Sequence, residues 1–310
     1  MKRGEPDDYR MDFDRLYLPK PRGKPRSIDP GARRRYPNVE IHADHFIFGE
    51  WDFGSLDLKA TSYVGRWSID ELLLSQPGLQ IKANGHWAYG ESGSTTRFKA
   101  NLDIDDIAIA LGKLSLPPHI SESRASLEFV LEWSGEPQGF LLRKLDGAYS
   151  ASVEPGRFLN VDPGSGRLLG LFNVDAISRR LSLDFSDIFS KGLAFDHIKA
   201  EGTIVDGDLY SEEMFIVGPS ALIEITGRTG LAEEDYDLQV VVAPHVGSQI
   251  SLISAIANPV AGAMVFIAQK VFEKQLLKMI QFQYDITGSW DSPEFTTVRW
   301  EPELVEETSR

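Results

Sequence analysis

The segment Leu127-Glu-Phe-Val-Leu-Glu-Trp133 alternates large apolar residues with two glutamates and a valine. Successive side chains of a β-strand point to opposite faces, so this pattern predicts a strand with Leu127, Phe129, Leu131 and Trp133 on one face. Both glutamates then lie on the other face. A sheet with one apolar face must bury that face against something. What covers it is the main question that the sequence poses.

Similar short segments run along most of the chain, separated by Gly, Asp and polar turns. One unit recurs at irregular spacing, an alternating strand followed by glycine, as in Ile81-Lys-Ala-Asn-Gly85 and Ile198-Lys-Ala-Glu-Gly202. Glycine inside a strand commonly marks a bend or bulge, which curves a sheet. Asp206-Gly207-Asp208 is typical of a tight hairpin turn. We expect an antiparallel meander of roughly fifteen short strands, with strands predicted at 10–18, 39–43, 45–49, 56–60, 67–75, 79–89, 96–104, 125–133 and 237–244.

Helical signal is sparse in comparison with strand signal. The two candidates are residues 166–181 and residues 248–280, and two helices cannot cover so many strands. The sheet must therefore fold onto itself as a sandwich or barrel, or curl into a trough that holds a foreign apolar body. The predicted fold is mainly β: an elongated, curled antiparallel sheet, groove-like or resembling an open barrel, with a few helices. The longest helix is expected near the C-terminus.

The second of these helices belongs to an unusually apolar stretch. Residues 238–269 contain no Asp, Glu, Lys or Arg. After the strand at 237–244, apolar residues recur at three- and four-residue steps, which places them on one helical face. Lysines at four-residue spacing follow beside Phe272. The predicted apolar face comprises Ile253, Ile256, Val260, Met264, Ile267 and Val271, and the cationic stripe comprises Lys270, Lys274 and Lys278.

Three interpretations of this helix remain open from the residues. It is a core helix that closes one end of the sheet, a membrane-surface helix whose lysines face anionic headgroups, or a transmembrane helix. The transmembrane interpretation is disfavoured because Ser, Asn and Gln interrupt the apolar run and Pro259 divides it into two short helices. Since the sheet is too large for its helices to cover, we favour an amphipathic cap that contacts both the trough and a membrane.

Charge and composition divide the chain unevenly. Its 310 residues have a net charge of −14, which argues against nucleic-acid binding. Residues 1–37 nevertheless contain eleven Lys or Arg and six Asp or Glu, together with six of the prolines. We predict four segments: a basic Pro-rich start with one strand at 1–37, a β-meander at 38–163, a second β segment with both helices at 164–300, and an acidic tail at 301–310.

Two absences bear on the cellular compartment. The chain contains no cysteine, so disulfides, thiolate metal sites and cysteine nucleophiles are excluded. Absence of cysteine agrees with an oxidising compartment such as a periplasm. Residues 2–9 are polar and no apolar signal segment follows them. Either the protein is cytoplasmic or a targeting segment lies upstream, and the abrupt polar start favours the second interpretation.

No catalytic or metal-binding motif is present in the sequence. It lacks G-x-S-x-G, the P-loop, the dinucleotide fingerprint and H-E-x-x-H. His42 and His45 are the closest histidine pair, but a three-residue gap on a strand points them to opposite faces, so a shared metal is not expected. Asp206-Gly207-Asp208 lacks the further ligands of a calcium loop. We expect neither an enzyme nor a cofactor.

A family resemblance extends these deductions. The segments that carry it are Gly166-Arg-Leu-Leu-Gly-Leu-Phe-Asn-Val-Asp-Ala-Ile-Ser-Arg-Arg-Leu181, Ser182-Leu-Asp-Phe-Ser-Asp-Ile-Phe-Ser190, His197-Ile-Lys-Ala-Glu-Gly-Thr-Ile204 and Gly288-Ser-Trp-Asp-Ser-Pro-Glu-Phe295. They resemble the C-terminal region of AsmA-like envelope proteins, in particular the YhdP branch. The resemblance covers nearly the whole chain and is most specific at 166–196 and 284–295.

The resemblance implies a periplasmic lipid-binding groove that takes part in phospholipid transport between the inner and outer membranes of a Gram-negative envelope. It implies the distal part of a protein whose inner-membrane anchor is absent from this chain, with phospholipid acyl chains as ligand and the outer-membrane surface as a contact. A non-enzymatic structural or assembly factor of the outer membrane, with a self-covered β core, is the alternative. The groove prediction falls on Leu127, Phe129, Leu131, Trp133, Ile198, Ile204, Leu238, Val240 and Val242.

Overall fold

One large sheet dominates the protein. The computed structural model describes residues 7–19, 36–90, 93–113, 120–121, 123–159, 194–219, 221–244 and 282–298. The predicted helices at 166–181 and 248–280 and the predicted tail at 301–310 lie outside these residues. The strands of the large sheet are β1 (Asp8–Leu18), β2 (Asn38–Phe48), β3 (Trp51–Asp52), β4 (Ser55–Tyr63), β5 (Arg66–Gln76), β6 (Leu79–Gly90), β7 (Gly93–Ile104), β9 (Ala125–Ser134), β10 (Asp146–Val153), β13 (His197–Val205), β14 (Asp208–Val217), β15 (Ala221–Gly230), β16 (Asp235–Pro244), β17 (Phe282–Ser289) and β18 (Ser292–Val298).

The order of these strands in space follows their order in the chain. The sheet runs from β1 to β18 through successive neighbours, while the short β3 pairs only with β2. Within the described residues β1 and β18 do not pair with each other, so the sheet is open and does not close into a barrel. This confirms the prediction of a mainly β protein built on one long meander. The sheet continues across the predicted boundaries at 38 and 164, so the four-segment division stays a prediction.

The antiparallel prediction holds for every neighbouring pair except the first. β1 pairs with β2 in parallel, with Met11 opposite Ile41 and Phe13 opposite Ala43. Parallel strands need a crossover, whereas antiparallel neighbours need only a short turn. The Pro-rich segment between these two strands has the length that such a crossover requires. The sequence pattern therefore predicted the strand but not its direction.

Three further elements lie outside the large sheet. β8 (Ile120–Ser121), β11 (Gly156–Phe158) and β12 (Ala194–Phe195) form a small second sheet in the order β12-β11-β8. The helix α1 (Ile107–Lys113) follows β7 and buries Ile107 and Ala110. Two 3₁₀ turns, at Pro137–Gly139 and Leu142–Lys144, lie between β9 and β10. None of these short elements was predicted, because segments this short carry no clear periodicity.

Glycines and bulges bend the strands, as the recurring unit predicted. The pairing of β13 with β14 shifts register at Gly202, and the pairing of β5 with β6 shifts between Ile69 and Leu72. A side chain at Gly202 would overlap the carbonyl oxygen of Tyr210, so only glycine permits this close strand approach. The hairpin prediction at 206–208 is also confirmed, since Asp206 and Gly207 have φ of 50° and 83° between β13 and β14.

Candidate functional site

The candidate site is a single face of the large sheet, here called the lining face. It is the face that carries Phe129 and, two residues on, Leu131. Residues opposite each other in an antiparallel pair share a face, so strand registers carry this face from β9 in both directions. One row of paired residues across the sheet is Leu56, Leu74, Ile81, Leu102, Leu127, Ala151, Ala200, Met214, Ile225, Val240 and Tyr284.

All nine residues of the groove prediction lie on the lining face. Four belong to β9, where Leu127 pairs with Ala151 and Phe129 with Tyr149. The others reach the same face through the registers of β13 and β16, in which Val240 is paired with Ile225. Strands far apart in the sequence thus present one apolar surface. Contact with lipid stays a prediction for Leu127, Phe129, Leu131, Trp133, Ile198, Ile204, Leu238, Val240 and Val242.

The lining face carries no charged side chain at its paired positions from β4 to β18 in the described residues. Its titratable groups there are phenols. Burial raises the pKa of Tyr149 and Tyr236 and raises the pKa of Tyr284 to about 12, so all three are neutral at physiological pH. The Tyr149 hydroxyl and the Ser211 Oγ are 2.8 Å apart and satisfy each other. The surface offers apolar contact and no acid–base chemistry.

Around β7 and β9 the opposite, outer face is polar, whereas on β14 to β16 it also buries Phe215, Val217, Leu222 and Ala243. Glu128 and Glu132 of β9 lie there, and Glu132 forms an ion pair of 3.8 Å with Arg97 of β7. Lys99 of β7 is paired with Val130. In this part of the protein the sheet separates an apolar surface from a solvated one across its own thickness, as the alternation in β9 predicted.

Burial of the lining face changes along the sheet. From β13 to β17 the face is covered, and Ile204, Leu238 and Ile286 are 3–4% exposed. From β6 to β10 the middle of each strand is only half-buried on this face, as at Leu127 and Phe129, whereas strand-end residues such as Trp87 and Trp133 are buried. The residues that pack the covered part include Phe158 and Phe195 of the small sheet, which contact the cluster around Ile198, Ile216, Ile225, Leu238 and Val240. The accessible part of the lining face is therefore centred on β6 to β10.

One long edge of the sheet is rich in tryptophan. This edge, the tryptophan rim, consists of the strand ends joined by the β4–β5, β6–β7, β9–β10, β13–β14, β15–β16 and β17–β18 connections. Four of the five tryptophans in the described residues lie along it. Three donate their indole N–H to backbone carbonyls of rim loops: Trp67 to Pro37, Trp133 to Glu136, and Trp290 to Asp235. Indole has an apolar body and one polar donor, so it suits the boundary between an apolar surface and water. The four residues are Trp67, Trp87, Trp133 and Trp290.

Several residues of the lining face were not among the predicted site residues. Leu102 of β7 is paired with Leu127, and Ile81 of β6 is paired with Leu102 on its other side. The alternation of 79–89 and 96–104 already placed them on an apolar strand face, so the signal was present. The contribution of β14, with Met214 and Ile216, carried a weaker signal because a bulge between Ser211 and Met214 interrupts the alternation.

Other predicted site residues cannot be compared with the structure. The cap-helix residues, which are Ile253, Ile256, Val260, Met264, Ile267, Lys270, Val271, Phe272, Lys274 and Lys278, lie outside the described residues. Within the part of the chain that the structure describes, no helix is long and apolar enough to cross a membrane. The same residues contain no group of three His, Asp or Glu arranged to hold a metal ion. His42 instead contacts Asp57 at 2.7 Å, which raises its pKa.

These features define an open, curled-sheet protein with one apolar face, which carries no charged side chain at its paired positions from β4 to β18 in the described residues. The family is established by sequence: the chain belongs to the YhdP family, whose model, "YhdP protein", matches residues 2–295. A curated relative, "Intermembrane phospholipid transporter YhdP" of Escherichia coli (strain K12), is 28% identical over 271 residues. The match covers 87% of this chain and 21% of that protein, so the chain spans about a fifth of the relative's length. No solved structure gives a significant match.

Proposed function

We propose that the lining face binds phospholipid acyl chains and that this chain is a segment of a conduit carrying phospholipid between the two membranes of a Gram-negative envelope. The observation that carries the proposal is a face without charged side chains at its paired positions across the twelve successive strands from β4 to β18. The relative described as an intermembrane phospholipid transporter supports the choice of ligand. The place of action would be the periplasm, with the predicted helix at 248–280 as a cap that contacts the outer membrane.

The physical chemistry of the trough suits transport. An acyl chain gains about 0.8 kcal/mol for each CH₂ removed from water, but a chain that leaves a bilayer gives up an equally apolar environment. The net free energy of transfer into the trough is therefore small, and its main effect is to remove the barrier of crossing water. The half-buried section from β6 to β10 is the part where lipid would lie. There small side chains, such as Ala83 and Ala100, leave room on the lining face.

Photo-crosslinking tests the proposal at single-residue resolution. A photoreactive residue at Leu127 on the lining face should crosslink to phospholipid in cells, and one at Glu128 on the outer face should not. The two positions are adjacent in β9, so expression, folding and local environment are matched. Mass spectrometry of lipid extracted from the purified chain is the second measurement. Equal crosslinking at both positions, together with no co-purified lipid, would refute lipid binding by this face.

A second candidate function is a non-enzymatic structural or assembly factor of the outer membrane. The covered section from β13 to β17 favours it, because Phe158 and Phe195 pack over the lining face there and no apolar ligand is needed. This candidate predicts that the purified chain carries no lipid and that the lining face at β9 docks against protein. Crosslinks from Leu127 to an envelope protein, in place of lipid, would support it.

A further inference from the structure

The loop between β9 and β10 presents an unusual run of exposed apolar side chains. Phe140, Leu141 and Leu142 are 43%, 49% and 42% exposed. No other three consecutive large apolar residues in the described part of the chain are exposed. Two exposed cations, Arg143 and Lys144, follow directly. Exposed apolar residues scattered singly need no explanation, but a contiguous patch marks an interaction surface.

The loop is held rigidly at the tryptophan rim. The Trp133 indole N–H donates to the Glu136 carbonyl at 2.9 Å, and the Phe140 ring stacks edge-on against Trp133 with centroids 5.3 Å apart. The amide of Gly207, in the turn between β13 and β14, donates to the Leu145 carbonyl at 2.8 Å. Because the loop is held at both ends, it loses little conformational entropy when it meets a partner, which favours insertion of its apolar tip.

The base of the loop is continuous with the lining face. Leu145, which ends the loop, is 4% exposed and packs in one cluster with Trp133 and Ile204. Half-buried Leu131 and Tyr149 pack against the same cluster. The exposed triplet thus lies at one end of an apolar path whose other end is the accessible section of the lining face. A surface that bound only a protein would not need this continuity.

One cation beside the triplet is placed to contact an anionic lipid headgroup. Arg143 forms an ion pair of 3.0 Å with Glu233, whereas Lys144 is exposed and has no ion pair within the described residues. An apolar tip flanked by a free cation is the pattern of a segment that lies at a membrane interface. The cation is adjacent to the apolar residues, so headgroup contact and apolar burial occur together.

We infer that residues 140–144 form a bilayer-contacting loop that brings the adjacent lining cluster of Trp133, Leu145 and Ile204 against an anionic lipid surface. The inference rests on the proposed function in one respect, since the lining cluster is then the point where lipid passes between bilayer and trough. It is separate from the predicted cap helix at 248–280. The partner surface is a phospholipid bilayer, and membrane contact by the loop is measurable whether or not the trough carries lipid.

Site-specific labelling tests the inference directly. The chain has no cysteine, so Leu141→Cys provides a single site for an environment-sensitive fluorophore. Ile109→Cys on α1, at the other edge of the sheet, is the matched control because its side chain is 50% exposed against 49% for Leu141. On vesicles of phosphatidylethanolamine with phosphatidylglycerol, the label at 141 should shift to shorter wavelengths and be quenched by spin-labelled lipid. The label at 109 should do neither.

A variant pair separates loop contact from lipid carriage. The double change Leu141→Asp and Leu142→Asp should weaken vesicle binding by about tenfold or more, with an unchanged melting temperature because both side chains are already exposed. Val64→Asp, at a fully exposed turn on the same rim, should leave vesicle binding unchanged. A label at 141 that stays in water on vesicles would overturn the inference, even if the chain carries lipid. A buried label on a chain that carries no lipid would support the loop and refute the trough.

Discussion

Two adjacent substitutions in β9 test the two faces of the sheet against each other. Phe129 lies on the lining face, where it is paired with Ala100 and Tyr149, and Val130 lies on the outer face, where it is paired with Lys99 and Ala148. Both side chains are half-buried. We predict that Phe129→Asp abolishes lipid occupancy at β9 and that Val130→Asp does not. The pair controls for position, strand and the chemistry of the new residue.

The size of the effect follows from burial and charge. Loss of half-buried apolar contact costs about 1 kcal/mol in either variant. A carboxylate that faces acyl chains costs about 3 kcal/mol more, the value for Asp at the centre of a bilayer. The first cost lowers the folding stability of both variants alike, so only the carboxylate penalty acts on lipid affinity, and it corresponds to roughly a hundredfold loss for Phe129→Asp. At position 130 the new carboxylate faces water and the ammonium of Lys99, so no such penalty arises.

The assay is lipid bound per mole of purified protein, measured by mass spectrometry after extraction, with transfer of fluorescent phospholipid between vesicles as the second readout. Urea unfolding of both variants should show losses of stability that agree within about 1 kcal/mol, since each removes one half-buried side chain. If Phe129→Asp keeps the lipid content and transfer rate of Val130→Asp at equal stability, the lining face is not a lipid surface at β9, and the proposed function fails there.

Three further predictions address the bend, an ion pair and the cap. Gly202→Ala should lower the free energy of unfolding by about 3 kcal/mol, because its Cβ would overlap the carbonyl oxygen of Tyr210. The control Gly90→Ala, in open space, should change the free energy of unfolding by no more than about 0.5 kcal/mol in the same urea titration. Equal unfolding midpoints for the two variants would contradict this reasoning. Arg228 donates to Asp235 at 2.7 Å and lowers the pKa of that carboxyl, so the pair stabilises above the unfolded pKa of about 4 and is lost as pH falls through the folded pKa. Arg228→Gln should cost about 1 kcal/mol at neutral pH and nothing at about pH 2, and parallel pH profiles from urea unfolding would count against it. Changing the predicted cationic stripe to glutamate should weaken flotation with anionic vesicles and leave neutral vesicles unaffected, and an unchanged response on anionic vesicles would remove the membrane-surface interpretation of Lys270, Lys274 and Lys278.

Much of the fold was predictable because local rules and tertiary structure agree along this sheet. The alternation in 125–133 predicted both β9 and the face on which each side chain lies. A shift of the strand by one residue would move every apolar side chain to the other face, so the pattern specifies the register. In-strand glycines such as Gly202 predicted the bends. A meander keeps neighbours in the chain as neighbours in space, so the strand order from β4 to β7 needed no long-range information.

The rest depended on relations that a strand pattern does not contain. The direction of β1 is set by its crossover, and the same alternation would serve an antiparallel strand. The small sheet joins residues 120–121, 156–158 and 194–195, which are far apart in sequence and too short to show a period. The exposed triplet at Phe140 would pass in sequence as an ordinary apolar turn. Only the structure shows that Phe140, Leu141 and Leu142 stay exposed although the loop is anchored on the lining cluster.

The absence of charge from the described lining face between β4 and β18 bears on what kind of lipid site this face would be. A storage or sensing site fixes its ligand with a few convergent polar groups. Within the described residues, the main polar pair on this face is Tyr149 with Ser211, and it is satisfied internally. A lipid would therefore gain nearly the same free energy at each strand, with no position at which it is strongly held. Such a surface has a flat free-energy profile along the strand order, and a flat profile favours movement over capture.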